Sequence, residues 1–459
     1  MLVNTSCKKQ LDALPQNAKV EGNTIIDQPS ANVALNGVYY VFANGDNSQT
    51  NWKANKVLGS IAAGYIAYGS GSINEEVDNF TSTTFGGEWD RNYRLVNAAN
   101  GVIQGVQALA DGKFVGARKV QMLAEARFLR AYANFKLLTF FGQWFNISSK
   151  YGIIIEDQFN TLTNINKPRN SVKDSYDFIV ADLDYAIANG AATSKTIYAN
   201  KWTAMALKMR VLLSRGNGSD YTDAITLGNT IIGSSPYKLE DNQKDIFYTK
   251  GLQSTEVMLG VQPQVNQELI NNNTSQNFAF TNSSSPYQAT AALKSLYPAT
   301  DPRGAWVVGP AVTNSKKYFF IKYVQPELQP TSLSEVAYAF RLSEIYLMLA
   351  EATAHSGGNI ATAKTWLKTV MGKGGITDFT AIDNITSADA FLVQLYYEYA
   401  RSFVGEDAIE WLALLRLPFD TVKTIRPTIT NQIQYILPVP HSEIANNPNF
   451  GDQNPGYAR

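Results

Sequence analysis

The chain has 459 residues, with 39 Lys and Arg against 39 Asp and Glu, so no net field draws it to nucleic acid or to an anionic membrane surface. It contains no apolar run of the roughly 18 residues needed to cross a bilayer as a helix, and its single cysteine, Cys7, excludes an internal disulfide. Aromatic residues are plentiful at 12% while charged ones are sparse at 17%, which leaves a surface of Asn, Gln, Ser and Thr suited to neutral, hydroxyl-bearing ligands outside the cytoplasm.

Cys7 follows Thr5 and Ser6, as small residues precede the acylated cysteine of a bacterial lipoprotein. Met1, Leu2 and Val3 are far too short for the apolar part of a secretion signal, so the expectation is an exported chain whose signal is missing from this sequence. Residues 1–30 then read as an anchor site with an extended tether.

A helix is predicted over 31–50, with Val33, Leu35, Val38, Tyr39 and Phe42 as its apolar positions. Residues 51–88 read as a loop-rich, ligand-side stretch holding Trp52, Tyr65, Tyr68 and Phe80 among Gly and Ser. Trp89, Tyr93, Val96, Asn100, Ile103 and Val106 fall at helical spacing. After Gly112–Lys113 a second helix carries the stripe Ala124, Phe128, Ala131, Phe135 and Leu138, with Arg127, Arg130 and Asn134 opposite and Gly142 as its stop. Small residues alternating with aromatic ones let paired helices approach closely, as in tetratricopeptide hairpins.

The pattern recurs. Ser171 is placed to cap a helix with Tyr176, Ile179, Leu183 and Ile187 on one face, and its mate ends near Gly216. A short helix follows. Later, EVAYAFRLSEIYLMLAEATAH reads as one helix with a polar stripe of Arg341, Glu344, Glu351 and His355, the charges best explained as a solvated or intrahelical ion-pair face. Asn359 caps its partner, and a further helix runs from about Ser387 to Arg401. The expected fold is mostly α: helical hairpins over 31–233 and 335–459, carrying a loop-rich subdomain with short strands over 234–334. EVMLGVQ and KYFFIKYV are its strand candidates, and YILPVP near the C-terminus reads as a strand before a Ser442-capped turn.

Five segments resemble, in order, the SusD/RagB family of outer-membrane nutrient-binding lipoproteins: SCKKQLD, EARFLRAYANFKLLTFFG, FRLSEIYLMLAEA, GEDAIEWLALLRL and YILPVPHSEIANNPNFGDQNPGY. The resemblance spans essentially the whole chain. It implies a lipid anchor on Cys7 as the membrane attachment, an outward-facing position on the outer membrane, and a SusC-like TonB-dependent transporter as partner. It further implies non-catalytic capture of oligosaccharides, which the transporter then imports. The family's late Glu-Gly-x-x-Trp pattern is only partly kept, by Arg401, Phe403, Gly405, Glu406, Trp411 and Arg416, and the chain is short for the family.

An enzyme needs a constellation that the residues do not offer. The two histidines, His355 and His441, are far apart, there is no phosphate-binding glycine loop, and no Cys/His cluster indicates a metal or other cofactor. Sugar capture instead needs aromatic platforms with polar groups at their rim. The candidates are Trp52, Tyr65, Tyr68, Tyr287 and Trp306, with Asn74, Asp301, Arg303 and Asn314 as polar partners; Tyr318 or Phe319 adds a strand-borne ring. For any one of these aromatics a packing role outweighs a ligand role by roughly two to one. Peptide binding of the RagB kind, a cytoplasmic tetratricopeptide scaffold and a glycosidase are the competing functions.

Overall fold

The computed structural model describes residues 24–43, 52–68, 82–261, 287–312, 316–325, 331 and 333–458. Cys7 and most of the expected tether lie outside them. Helix α1 spans Gln28–Ala43, and α2, Lys53–Ala62, leads into strand β1, Ile66–Tyr68. The helical array follows with α3 (Ser82–Ala108), α4 (Arg118–Phe141), α5 (Val172–Asn189), α6 (Lys201–Arg215) and α7 (Asp220–Ser234). Successive members pack on one another, and α1 lies against α3 and α4.

The middle of the chain supplies β2 (Val257–Val261), β3 (Tyr287–Ala289), β4 (Val308–Ala311) and β5 (Tyr318–Phe320), with short helical turns at Ala291–Ser295 and Gly304–Val307. The chain closes with β6 (Ala337–Arg341), α8 (Leu342–His355), α9 (Ile360–Lys373), α10 (Ala388–Phe403), α11 (Ile409–Leu415), α12 (Phe419–Ile425) and α13 (His441–Asn446). Helix α8 is the keystone: α7, α9 and α10 all pack against it.

Two of the predicted side-chain caps, Ser171 and Asn359, are made. Ser171 accepts the Asp174 N–H at 3.1 Å, and Asn359 accepts that of Ala361 at 2.8 Å. Asn200 caps α6 through a reciprocal box with Thr203, and Gly216 ends it in a left-handed conformation. Helix α4 is buried on nearly every side from Met122 to Phe141, so Arg130 and Asn134, expected on the face opposite the apolar stripe, are interior as well. Arg130 is clamped by Asp182 of α5 through two bonds of 2.7 Å.

Three expectations are corrected. Residues 53–62 and 82–88 are helical rather than loop; in the first of these Gly59 and Ser60, which suggested a loop, pack at a close helix contact. The run predicted as one helix from Glu335 begins as strand β6, which pairs antiparallel with β2. All five β6 residues are buried, and an apolar run covered on both faces shows no period that separates strand from helix. Near the C-terminus, residues 436–440 belong to no sheet. Leu437 instead donates to Phe140 O at 2.7 Å, and α13 follows Pro440, so Ser442 caps nothing.

Candidate functional site

Strands β1, β3, β5 and β4 form, in that order, an antiparallel sheet assembled from segments far apart in sequence. The register sets Tyr68 opposite Tyr287 and Ala289 opposite Tyr318. Strand β4 is an edge, and its residues Pro310 and Ala311 are exposed. Proline there removes a backbone donor and blunts the edge against further pairing. Tyr318 is half-buried, whereas Phe319 is packed inside.

The predicted ligand residues separate into groups. Asn74 and Asn314 lie outside the described residues. Trp52 is 3% exposed, wedged against Phe42 and Tyr132, and its Nε1 donates to Phe42 O at 2.9 Å. The Tyr65 hydroxyl meets that of Tyr396 at 2.6 Å in the interior. Trp306 stacks on Phe247 with ring centroids 5.8 Å apart. Asp301 and Arg303 are interior as well: Arg303 is 1% exposed, bonds Asp301 Oδ2 at 2.8 Å, and pairs with Glu398. Tyr287 is 7% exposed. As placed, these side chains support the sheet, while Tyr318, packed on the core by one part of its ring, stays half-exposed.

Sequence reasoning missed what fixes the sheet in position. The segment Gly405–Ala408, just before α11, makes a turn with positive φ at Gly405 (80°), Asp407 (49°) and Ala408 (61°). Left-handed backbone at a non-glycine residue costs about 1–2 kcal/mol, so the surroundings must impose it. They do so through buried charge. Asp407 accepts from Tyr132 at 2.6 Å and pairs with Lys136 at 2.7 Å and Arg210 at 2.6 Å; Arg210 also pairs with Glu344. Glu406 pairs with Arg341 at 2.7 Å and Lys322 at 2.5 Å, and Arg341 continues to Glu256 at 2.7 Å. Further along, Arg416 and Tyr399 both hold Glu351. The Arg341, Glu344 and Glu351 stripe is therefore neither solvated nor intrahelical: it is the charged interior of the protein. Charges recurring along an otherwise apolar helix, together with the acidic run of GEDAIE, were the available signal.

This turn grips both sides of the sheet. Lys322, just after β5, donates to the Ser402 and Val404 carbonyls at 3.1 and 2.9 Å, and Tyr323 donates to Gly405 O at 2.9 Å. On the other side, α2 leads into β1, and Ser60 of α2 accepts the Gly405 N–H at 2.8 Å while donating to Glu410. Burial would raise Glu406, but Arg341 and Lys322 more than offset it and hold that carboxyl below its ordinary value. Burial pulls Lys322 down to about 8 against the opposing pull of Glu406. Glu410, equally buried and without such a cation, is pushed up to about 7.

No described helix is long and apolar enough to cross a membrane, and among the described residues no three His, Cys, Asp or Glu side chains converge as a metal site. The described residues thus form a tetratricopeptide-like helical scaffold presenting a small sheet locked by a buried ionic turn. Residues 9–213 match the family model described as starch-binding, associating with outer membrane, and residues 310–416 match that of the SusD family. The chain belongs to the SusD/RagB family.

A SusD-like protein from Bacteroides ovatus is 31% identical over 184 residues, which cover 38% of this chain and 32% of that relative; the match thus spans about a third of its length. Among solved structures, a SusD superfamily protein from Bacteroides thetaiotaomicron superposes with a TM-score of 0.76 at 20% identity, covering 94% of this chain and 100% of the other. Surface glycan-binding protein A from Bacteroides fluxus gives a TM-score of 0.72 at 16% identity over 94% of this chain and 99% of its own. A SusD-like carbohydrate binding protein from Bacteroides vulgatus gives 0.72 at 18% identity, covering 92% and 97%. At these identities the structural likeness establishes the fold.

Proposed function

We propose that the chain captures neutral oligosaccharides at the outer membrane, without catalysis, and passes them to a SusC-like TonB-dependent transporter. Membership of a family whose matched model is described as starch-binding and outer-membrane-associated carries this reading. The similar structures from Bacteroides fluxus and Bacteroides vulgatus, a surface glycan-binding protein and a SusD-like carbohydrate binding protein, support it. Lipid attachment at Cys7 supplies the membrane contact, and one acyl chain would hold too weakly, so several are expected on that cysteine.

We assign the ligand to the β1–β3–β5–β4 sheet, with the half-exposed ring of Tyr318 as its platform; Tyr287 and the other predicted aromatic and charged residues that are buried act from behind. Peptide capture by strand addition is disfavoured at the β4 edge, because Pro310 lacks the N–H that an added strand would need.

Calorimetric titration of the soluble chain against a panel of neutral oligosaccharides, and separately against short peptides, tests the reading. Saturable heat from one glycan class is expected. Binding confined to peptides would overturn the ligand assignment.

A further inference from the structure

We infer that Glu410 is carried as a neutral carboxylic acid, and that its contact with Ser60 forms a proton-dependent latch seating α2 and β1 on the Gly405–Ala408 turn. The geometry singles Glu410 out. The interior carboxylates Asp301, Glu256, Glu344, Glu351, Glu398, Glu406 and Asp407 each pair with a Lys or Arg. Glu410 is 0% exposed, yet among the described residues no cation pairs with it. Its Oε1 takes the Ser60 hydroxyl, and its Oε2 has no hydrogen-bond partner among the described residues. A carboxylate so enclosed, with one oxygen unsolvated, is far costlier than the neutral acid, so the proton is retained.

The groups facing it do not supply the missing charge. Lys322, after β5, acts on it from a distance but is already saturated by two carbonyls and Glu406. Glu406, on the same turn, opposes ionisation. Tyr65, Tyr323 and Tyr396, from just before β1, the β5 continuation and α10, feel the same carboxyl, and each is itself raised by burial.

Ser60 connects this carboxyl to the sheet. One hydroxyl accepts from Gly405 N and donates to Glu410, while the preceding residue, Gly59, lies so close to Ala408 that a Cβ there would sit 2.3 Å from the Ala408 Cα. Helix α2 can occupy this seat only if the turn and the carboxyl stay in place. Glu410 is thus a positioning residue, acting on β1 through Ser60 and α2. These contacts are the same whichever ligand the sheet takes.

The sign follows from linkage. The folded value of Glu410, about 7, lies above its ordinary 4.5, so its contribution to the seat is complete below pH 4.5, declines as pH rises, and is gone above 7. Amide hydrogen exchange of the whole chain, corrected for intrinsic rates, reads this directly. Between about pH 5 and about pH 8, protection of residues 53–68 is expected to fall on the order of 50-fold in the wild type, while that of α4 holds. Glu410→Gln, which keeps the shape and an acceptor without the charge, is expected to abolish the pH dependence; Glu410→Ala should lower protection at both values. Wild-type protection independent of pH, or an unchanged pH dependence in Glu410→Gln, would overturn the latch. If Glu410→Gln fails to fold, infrared difference spectra of the wild type across the same range decide. A protonated-carboxyl band lost as pH rises supports the latch, and no such band contradicts it.

Discussion

Gly59 and Ala408 meet where α2 crosses the charged turn, and the gap between them admits no side-chain atom on Gly59: the nearest distances from an added Cβ are 2.3 Å to Ala408 Cα and 2.4 Å to its Cβ. Both partners are constrained, Ala408 by its left-handed backbone and Gly59 by its place inside a helix. The contact explains why a residue of poor helix propensity sits in the middle of α2.

Gly59→Ala is therefore expected to destabilise the protein by about 1–3 kcal/mol through overpacking, despite the gain in helix propensity. Gly37→Ala is the control. It lies in α1 with nothing within 4 Å of an added Cβ, and a gain of up to about 1 kcal/mol is expected there. Denaturant unfolding of the two variants measures both effects.

Arg341 bridges Glu406 and Glu256 in the interior. Arg341→Met leaves both carboxylates without this partner, and a loss of about 3–5 kcal/mol is expected. The exposed pair Lys173–Asp177 is of another kind, and Lys173→Ala should leave the unfolding midpoint unchanged. Chemical denaturation of the two variants separates interior from surface pairing.

The helical hairpins were legible because their apolar residues recur at helical spacing and their ends carry Ser171, Asn359 and terminal glycines. The division of labour among the aromatics was not. Trp52, Tyr65 and Trp306 sit among Gly, Ser and Pro, a context that suggests a surface, yet each ring fills the interior. The ionic turn was invisible for a related reason. Arg341 pairs with Glu406, and Arg210 with Asp407, across long stretches of chain, and no local pattern records such a partner. Charges in an apolar helix read as a solvent stripe unless the elements that cover them are known.

Acid should undo part of this interior. The folded value of Glu406 lies below its ordinary 4.5, so its contribution is present above that pH and is lost as pH falls through the folded value. A thermal-melting profile from neutral to acid pH should fall less steeply for Glu406→Gln than for the wild type, though from a lower starting stability, since Arg341 and Lys322 lose their charged partner.

Calorimetric titration of the wild type and Tyr318→Ala with an oligosaccharide tests whether the sheet takes a neutral sugar on the Tyr318 ring. Saturable binding to the wild type is expected, weakening about tenfold or more in the variant, equivalent to some 1.4 kcal/mol, at a temperature where both proteins remain folded. Equal affinity in the two proteins would remove the ligand from this sheet.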